Sequence, residues 1–302
     1  MQDEINGVII VNKHSGVTSF DIVFKMKKLF NTKKVGHTGT LDPMATGVLP
    51  ILLGRSAKAA EYLTEHDKEY KAEIQLGITT DTEDISGKVL TRSDKLPDKE
   101  EFFAVCEKFV GEIEQIPPMY SALKVGGKKL VDLAREGIEI ERQARKINIY
   151  SLRAEEVDEK SGIYTLYVKC SKGTYIRTLC ADIGKNLGCG ACMSALERTK
   201  SGDFSIDKAY TVEELEKLTY EQRASLVDGP EALFCEYPRI VLSDFYSRLC
   251  HSGCEIYQEK IKTSFDIGQA VRICDKNGFF ALGRVQNYES GSAIKALKLF
   301  KL

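Results

Sequence analysis

The stretch KVGHTGTLDPMATGVLPILLG, from Lys34 to Gly54, organises the rest of the chain. Four glycines, three threonines and Pro43 surround a single carboxylate, Asp42, and the apolar run over 48–53 that follows predicts a buried strand. Glycine lets the backbone turn tightly, and proline keeps the preceding residue extended and out of a helix. The pattern therefore predicts a rigid loop that is anchored by a strand and holds one acid. That acid either performs chemistry or hydrogen-bonds its own turn, and the spacing alone leaves both open.

The composition is typical of a soluble globular enzyme. The 302 residues are 43% hydrophobic and 29% charged, which fits one large domain or a large domain with a smaller one. No apolar run approaches the roughly 20 residues that a membrane-spanning helix needs. The first residues, MQDEINGVIIVNKH, are acidic and lead directly into a strand, so we expect no signal peptide and a cytoplasmic location.

The nine cysteines argue against a disulfide framework and against a metal site. Their number is odd and their spacing is irregular, which is typical of reduced, buried thiols in a cytoplasmic protein. Cys189 and Cys192 form one CxxC pair, but no second pair or histidine follows at ligand spacing. Cys250, His251 and Cys254 form the other cluster. We therefore expect no bound metal.

The net charge of −1 does not indicate a nucleic-acid-binding protein, but the charges are uneven along the chain. Local basic patches, rather than the total charge, determine where phosphates bind. A solvated helix face has the same appearance, so both interpretations stay open. The two basic groups consist of Lys25, Lys27, Lys28, Lys33 and Lys34, and of Lys124, Lys128, Lys129 and Arg135.

Hydrophobic periodicity, capping residues and turn residues predict an α+β fold. We expect a mixed, mostly antiparallel central sheet with flanking helices, and a loop with a short basic helix at about 117–137 that suits a movable clamp on an anionic ligand. From residue 238 the short strands and an Asn277–Gly278 turn predict a small β-barrel, so the expected domains are 1–236 and 237–302. Strands are predicted over 7–12, 48–53, 68–77, 88–91, 144–157, 163–171, 195–199, 269–275, 279–286 and 293–300. Helices are predicted to begin at or just after Thr18, Ser56, Asp98, Lys128, Thr174, Thr211 and Ser243.

Asp42, Tyr70 and Arg177 could form a site if the fold brings them together. An arginine beside Asp42 would lower its carboxyl pKa by about one to three units and keep it ionised as a covalent nucleophile. Tyr70, on the strand predicted over 68–77, offers a stacking ring or a phenolic proton acceptor. The apolar stripe of its helix places Arg177 beside that stripe rather than beneath it. From these residues alone, a core-edge tyrosine and a surface arginine are the simpler interpretation.

Seven motifs resemble, in the same order, those of the TruB family of tRNA pseudouridine synthases, which act on uridine 55 in the TΨC arm. They cover residues 7 to about 210, and the stretch around Asp42 resembles the catalytic motif of the family. The C-terminal part resembles, more loosely, the PUA domain, an RNA-binding β-barrel. The motifs are NKHSGVTS, GHTGTLDPMATGVLP, KEYKAEIQLG, TTDTEDISG, IPPMYSALKVGGKKLVDLAREG, KGTYIRTL and SALERTKSG.

The resemblance implies a role for each matching position. Asp42 matches the nucleophilic aspartate, and Arg177 matches the arginine that ion-pairs with it. Tyr70 matches the tyrosine that stacks on the flipped base and that is a candidate to accept a proton from the sugar. The stretch 117–137 matches the mobile thumb that closes on the T-loop. The implied substrate- and RNA-binding set is His37, Tyr70, Tyr175, Leu196 and Lys13, with a protonated His37 facing phosphate.

The implied reaction is an isomerisation in which the N1–C1′ bond breaks, the uracil rotates and the ring rejoins through C5. It involves no redox change, hydrolysis or second substrate, so the resemblance implies neither a cofactor nor a metal. The implied partner is the T-arm of tRNA, and the chain is expected to act as a monomer without an obligate protein partner. Two departures, His14 where the family usually has proline and Val131 where it often has an aromatic residue, concern loop rigidity and RNA contact rather than the reaction.

Two other functions stay open from the sequence. An RNA-binding or tRNA-folding module would use the same scaffold, with Asp42 as a structural turn residue. An aspartate-nucleophile hydrolase would act on a small ester or glycoside, and it would need a second acid that the sequence does not reveal.

Overall fold

The computed structural model describes residues 5–63, 66–158 and 161–301. Within them the chain forms a nine-stranded sheet, a five-stranded sheet and two short hairpins, which confirms the predicted α+β class. The strands are β1 (Gly7–Lys13), β2 (Val35–His37), β3 (Thr46–Leu53), β4 (Lys68–Leu76), β5 (Ile78–Thr80), β6 (Val89–Arg92), β7 (Gly111–Gln115), β8 (Lys124–Val125), β9 (Lys128–Lys129), β10 (Arg145–Asp158), β11 (Ile163–Cys170), β12 (Ala191–Ser201), β13 (Phe204–Ser205), β14 (Arg239–Val241), β15 (Ile256–Tyr257), β16 (Ala270–Asp275), β17 (Gly278–Tyr288) and β18 (Gly291–Leu299).

The helices flank the two larger sheets. In the described ranges no helix is both long and apolar enough to cross a bilayer. The α-helices are α1 (Ser19–Leu29), α2 (Ala60–Leu63), α3 (Lys99–Glu107), α4 (Leu130–Arg135), α5 (Ile176–Asn186), α6 (Val212–Lys217), α7 (Tyr220–Ser225) and α8 (Asp244–His251). Short 3-10 segments lie at Gly54–Ala59, Ile206–Lys208, Pro230–Phe234 and Gln258–Ile261.

The large sheet has the order β1-β3-β12-β4-β11-β10-β7, with β2 beside β3 and β13 beside β12. Its pairings are antiparallel except for a short parallel contact between β12 and β3. Gly47 lies at that contact with a φ of +101°, and a Cβ there would lie 2.3 Å from the backbone oxygen of Arg198. Only glycine tolerates both the conformation and the approach. The loop that precedes β3 is thereby brought next to the centre of the sheet.

Two helix starts matter for the arrangement. Thr18 and Asp21 form the predicted capping box at α1. No side chain caps α5, but the amide of Gln115 binds both backbone groups of Tyr175, at 2.8 and 3.0 Å. The last strand before the thumb therefore holds the first turn of α5 in place.

The C-terminal sheet has the order β14-β16-β17-β18-β15 and curls into a half-barrel, as the PUA-like prediction requires. The predicted hairpin is present, with Asp275 paired to Gly278. This sheet shares a buried core with the large one, in which Phe234 and Phe300 pack in the same cluster as residues of β1 and β3. Asn6 adds a hydrogen bond to the Phe300 carbonyl at 2.9 Å. A common core of this kind predicts that the two sheets fold together.

Two predicted helices are wrong in extent. Ser56 does not cap a helix because its backbone and hydroxyl groups bind Asn6, both at 2.9 Å, and the chain forms a 3-10 segment before the four-residue α2. Part of the predicted helix, residues 64–65, lies outside the described ranges. The helix expected over 128–136 begins only at Leu130 because residues 128–129 pair with β8 as a hairpin.

Candidate active site

The loop over 38–45 presents Asp42 from a backbone that is bonded on both sides. The Ser19 hydroxyl accepts from the Leu41 N–H at 2.9 Å and donates to the Leu41 carbonyl at 3.2 Å. The Gly16 N–H donates to the Pro43 carbonyl at 2.9 Å. Asp42 is therefore flanked by two anchored residues, and its side chain keeps 34% of its surface exposed.

Arg177 forms a two-point ion pair with Asp42. Its Nε lies 2.9 Å from Oδ2 and its Nη2 lies 3.2 Å from Oδ1 of that carboxylate. The same guanidinium donates to the carbonyls of Tyr120 at 2.8 Å and Thr82 at 3.1 Å, and it lies 3.7 Å from the carboxylate of Asp84. Arg177 is only 5% exposed, so the interpretation as a surface arginine is wrong. The first turn of α5 packs against the turn that follows β5, which encloses the guanidinium.

The predicted direction of the Asp42 pKa is also wrong. Burial raises the pKa of Asp42 above its ordinary value, Arg177 offsets part of that effect, and the nearby charge of Asp84 adds to it. Removing a carboxylate from water outweighs the attraction of one guanidinium here. The ionised carboxylate is consequently a stronger base and nucleophile than an ordinary aspartate.

Tyr70 lies on β4 at the position that pairs with Arg198 on β12. The positive charge of the Arg198 guanidinium acts on the phenolic oxygen of Tyr70. Burial raises the pKa of Tyr70, and Arg198 opposes that rise. The phenol is therefore neutral at neutral pH, with its ring on the cleft wall that also carries Asp42.

Arg198 is a site residue that the sequence analysis did not single out. It is 1% exposed and donates to the carbonyls of Val48 at 2.8 Å, Gly39 at 3.1 Å and Thr40 at 3.4 Å. The sequence offered one signal for this residue: Arg198 lies two positions after Leu196 and therefore on the same side of the strand. Alternation alone does not distinguish such a residue from a solvent-facing one.

A cleft of about 580 Å³ opens in front of these residues, which is within the range of small-ligand sites. Its opposite wall belongs to the thumb, which contributes Lys129, Val131 and Arg135. The predicted site residues that line it are Asp42, Tyr70, Arg177, His37, Tyr175 and Leu196.

Lys13 and His37 differ from their predicted roles. Lys13 has no exposed surface, and its ammonium group donates to the carbonyls of Val17 at 2.8 Å, His14 at 3.0 Å and Pro43 at 3.2 Å. Burial lowers the pKa of Lys13 to about 8. A direct RNA contact is thus unavailable, and the side chain supports the loop from below. Burial also lowers the pKa of His37, so a cationic ring facing phosphate is not favoured.

The cleft presents one acid. Asp84 lies behind Arg177 with 7% of its side chain exposed and does not line the cleft. Two carboxylates on opposite sides of a bond, which glycoside hydrolysis requires, are not found in it among the described residues. In the same ranges no group of three or more His, Cys, Asp and Glu side chains is arranged to hold a metal ion. All nine cysteines are free, and only Cys235 and Cys254 are exposed.

Two family models match the chain. The one described as "TruB family pseudouridylate synthase (N terminal domain)" matches residues 27–176. The one described as "tRNA pseudouridylate synthase B C-terminal domain" matches residues 177–234.

Curated relatives and solved structures agree with those matches. The tRNA pseudouridine synthase B of Clostridium tetani is 45% identical over 281 residues, covering 93% of this chain and 96% of the relative. That of Alkaliphilus oremlandii is 42% identical over 301 residues, covering 99% and 98%. The solved "Cbf5-Nop10-Gar1 Complex" contains a chain that is similar with a TM-score of 0.72 and 26% identity, over 98% of this chain and 85% of that one. An H/ACA RNP "bound to a substrate RNA containing 2'-deoxyuridine" gives a TM-score of 0.72 and 25% identity, with coverage of 98% and 85%.

Proposed function

The chain belongs to the TruB family of pseudouridylate synthases, and on that premise we propose that it converts uridine 55 in the T-arm of tRNA to pseudouridine. Its curated relatives are named tRNA pseudouridine synthase B and match over nearly their whole length, which supports tRNA as the substrate. The observation that carries the proposal is the two-point ion pair of Asp42 with the buried Arg177, in a cleft that Tyr70 also lines.

The target base must leave its stack before a group in the cleft can reach it. Flipping a nucleotide costs a few kcal/mol, and an aromatic side chain that stacks on the base returns about 1–3 kcal/mol. Tyr70 supplies that ring, and Leu196 supplies an apolar surface on the same face of the sheet. His37, neutral because of its lowered pKa, fills space beside the loop as the nucleotide enters.

Asp42 is the proposed nucleophile. Its carboxylate adds to C6 of the uracil or to C1′ of the ribose, or it assists elimination to a glycal, and each route starts from the ionised acid. Arg177 holds both carboxylate oxygens in one orientation and favours that ionised form. After the N1–C1′ bond breaks, the ring rotates in the cleft and C5 bonds to C1′. C5 then loses its proton, N1 gains one, and any bond to Asp42 breaks, so that the overall reaction is an isomerisation. Burial raises the pKa of Tyr70 and keeps its phenol protonated, so we assign Tyr70 to base stacking and not to acceptance of the sugar proton.

The parts outside the cleft are assigned to RNA capture. We assign residues 1–236 to the synthase domain, with a thumb at 117–137 that closes on the T-loop, and residues 237–302 to a PUA-like RNA-binding domain. The exposed thumb lysines and the curled C-terminal sheet support this division. A single chain supplies every site residue, which supports action as a monomer. The free cysteines support a reducing, cytoplasmic setting.

The test uses an unmodified tRNA transcript. After incubation with the protein, carbodiimide marks pseudouridine, and reverse transcription reads the marked positions as stops. We expect one new stop at uridine 55, which is absent from a transcript that carries cytidine there. Conversion of several uridines at equal rates would reject the assigned position. Tight RNA binding without any stop would favour the RNA-binding module instead.

A further inference from the structure

Arg198 lies against three separate parts of the site. Its donors reach the carbonyls of Gly39 and Thr40, which precede Asp42 in the loop, and the carbonyl of Val48, which follows the loop on β3. On the neighbouring strand it pairs with Tyr70, and its positive charge opposes the rise in the pKa of that phenol. Both ends of the Asp42 loop and the stacking ring therefore lie against one guanidinium.

This guanidinium differs from an ordinary buried arginine in its partners. Among the described residues, no carboxylate lies within ion-pair distance of it, although it is 1% exposed. A buried charge without a counter-ion must be solvated by oriented dipoles, and carbonyls and a phenol supply them here. Movement of the loop away from β12 would break the bonds from Arg198 to the loop carbonyls. The charge thus favours the one arrangement in which loop and ring are both in place.

We propose that Arg198 is a positioning residue that fixes the gap between the Asp42 carboxylate and the Tyr70 ring, the gap that the uracil occupies. The proposal rests on the proposed function for its chemical meaning. Its physical content, a clamp on the segment 38–48 (the loop and the start of β3), is independent of any RNA. A planar fork with donors in fixed directions can bind the three carbonyls at once, whereas the single ammonium group of a lysine has no such fixed fork.

Arg198→Lys keeps the charge and removes the fork. We expect kcat for the T-arm RNA to fall about 100-fold, because a displacement of about 1 Å in a site costs that much, while KM changes less than threefold. Tyr70→Phe removes the hydroxyl on which the Arg198 charge acts. In that background the further loss from Arg198→Lys should shrink to about tenfold, because part of the clamp is already gone. A purely structural role predicts the same loss in both backgrounds.

Arg223→Lys is the matched control. The Arg223 guanidinium also binds three carbonyls, those of Leu29, Leu215 and Leu218, away from the cleft. We expect its kcat to stay within twofold of the unmodified protein. Amide hydrogen exchange, measured without RNA, should accelerate at least about tenfold over 38–48 in Arg198→Lys alone.

The outcomes separate the two claims. If the unmodified protein forms no pseudouridine, the proposed function fails, and the exchange experiment still decides whether the clamp exists. If it forms pseudouridine and Arg198→Lys matches it within threefold, the positioning role is overturned and the function stands. The positioning role is also overturned if amide hydrogen exchange in Arg198→Lys accelerates throughout the chain, or if it does not accelerate over 38–48. Should Arg198→Lys fail to fold, Arg198→Gln, whose amide keeps one donor group, undergoes the same measurements.

Discussion

The two walls of the cleft are both irregular segments, but the fold holds them in opposite ways. The loop that carries Asp42 is bonded to α1 through Ser19, to the turn after β1 through Lys13 and to β12 through Arg198. Each of those three side chains is buried. The loop is consequently fixed from below and from both ends.

The thumb is bonded near its base and free toward its tip. Arg177 donates to the Tyr120 carbonyl, and Arg142 donates to the Pro117 carbonyl at 3.2 Å. Residues 124–129 are exposed, and a Cβ added at Gly126 or Gly127 would touch nothing within 4 Å. A wall of this kind can move as a unit when RNA enters.

The difference separates two tasks that RNA modification combines. Chemistry requires the acid to be held within a fraction of an ångström, whereas capture of a folded RNA requires a wall that can open. Changes in the fixed wall should therefore alter kcat and stability. Changes in the thumb should alter RNA binding.

Arg177→Met should have the largest effect on the fixed wall. It leaves Asp42 and Asp84 without their shared cation, and breaking a buried pair on one side costs about 3–5 kcal/mol of the free energy of unfolding. We expect kcat to fall about 10²–10³-fold as the carboxylate loses its orientation. Chemical denaturation and single-turnover kinetics measure the two effects. Arg142→Met, at the thumb base, is the control and should cost less than about 1 kcal/mol.

Lys129→Ala should weaken the binding of RNA by the thumb without changing the rate of the chemical step. Lys129 is exposed and lines the cleft, so we expect KM to rise about tenfold or less with kcat within twofold. Loss of one phosphate contact should also reduce the slope of log K against log salt by about one. Fluorescence titrations at several salt concentrations measure that slope. Lys217→Ala, on α6, should change neither quantity, and an equal slope for both variants would remove the thumb from the RNA interface.

The smallest expected effect concerns the pH dependence of kcat/KM and of the unfolding free energy. Because burial raises the pKa of Asp42, the acid limb of kcat/KM should have its midpoint above 3.8. The folded chain holds that proton more tightly than the unfolded chain, so ionisation costs stability as the pH rises from 3.8 through the raised value. Asp42→Asn should remove this part of the pH dependence of the unfolding free energy. A limb with its midpoint at or below 3.8 would mean that Arg177 dominates.

The sequence identifies the features whose causes are local. The glycines and Pro43 around Asp42 predict a rigid loop, the Thr18–Asp21 pattern predicts the capping box of α1, and alternation predicts β4 with Tyr70 on it. Each depends on a few consecutive residues. The ten predicted strands and most of the predicted helix starts follow for the same reason. The strands that were not predicted have five residues or fewer each: β2, β5, β7, β8, β9, β13, β14 and β15.

Features that depend on burial, or on contacts between residues far apart in the sequence, were not predictable in this way. The direction of the Asp42 pKa depends on how much water the fold excludes, and the burial of Arg177 depends on a turn nearly a hundred residues earlier. Arg198 is inconspicuous in the sequence because the carbonyls that it binds lie 150 or more residues away. Ser56 fits the sequence pattern of a helix cap, but in the fold it binds the side chain of Asn6 instead.

The most direct test of the account is a comparison of binding and product in Asp42→Asn. The amide keeps the size of the side chain and removes the nucleophilic charge, so the protein should bind an unmodified T-arm hairpin with a Kd within about threefold of the unmodified protein. Pseudouridine, mapped by carbodiimide stops, should fall by about 10⁴-fold or more. If Asp42→Asn formed pseudouridine at the same rate as the protein with Asp42, the account would be contradicted, because the charge on Asp42 would then have no part in the reaction.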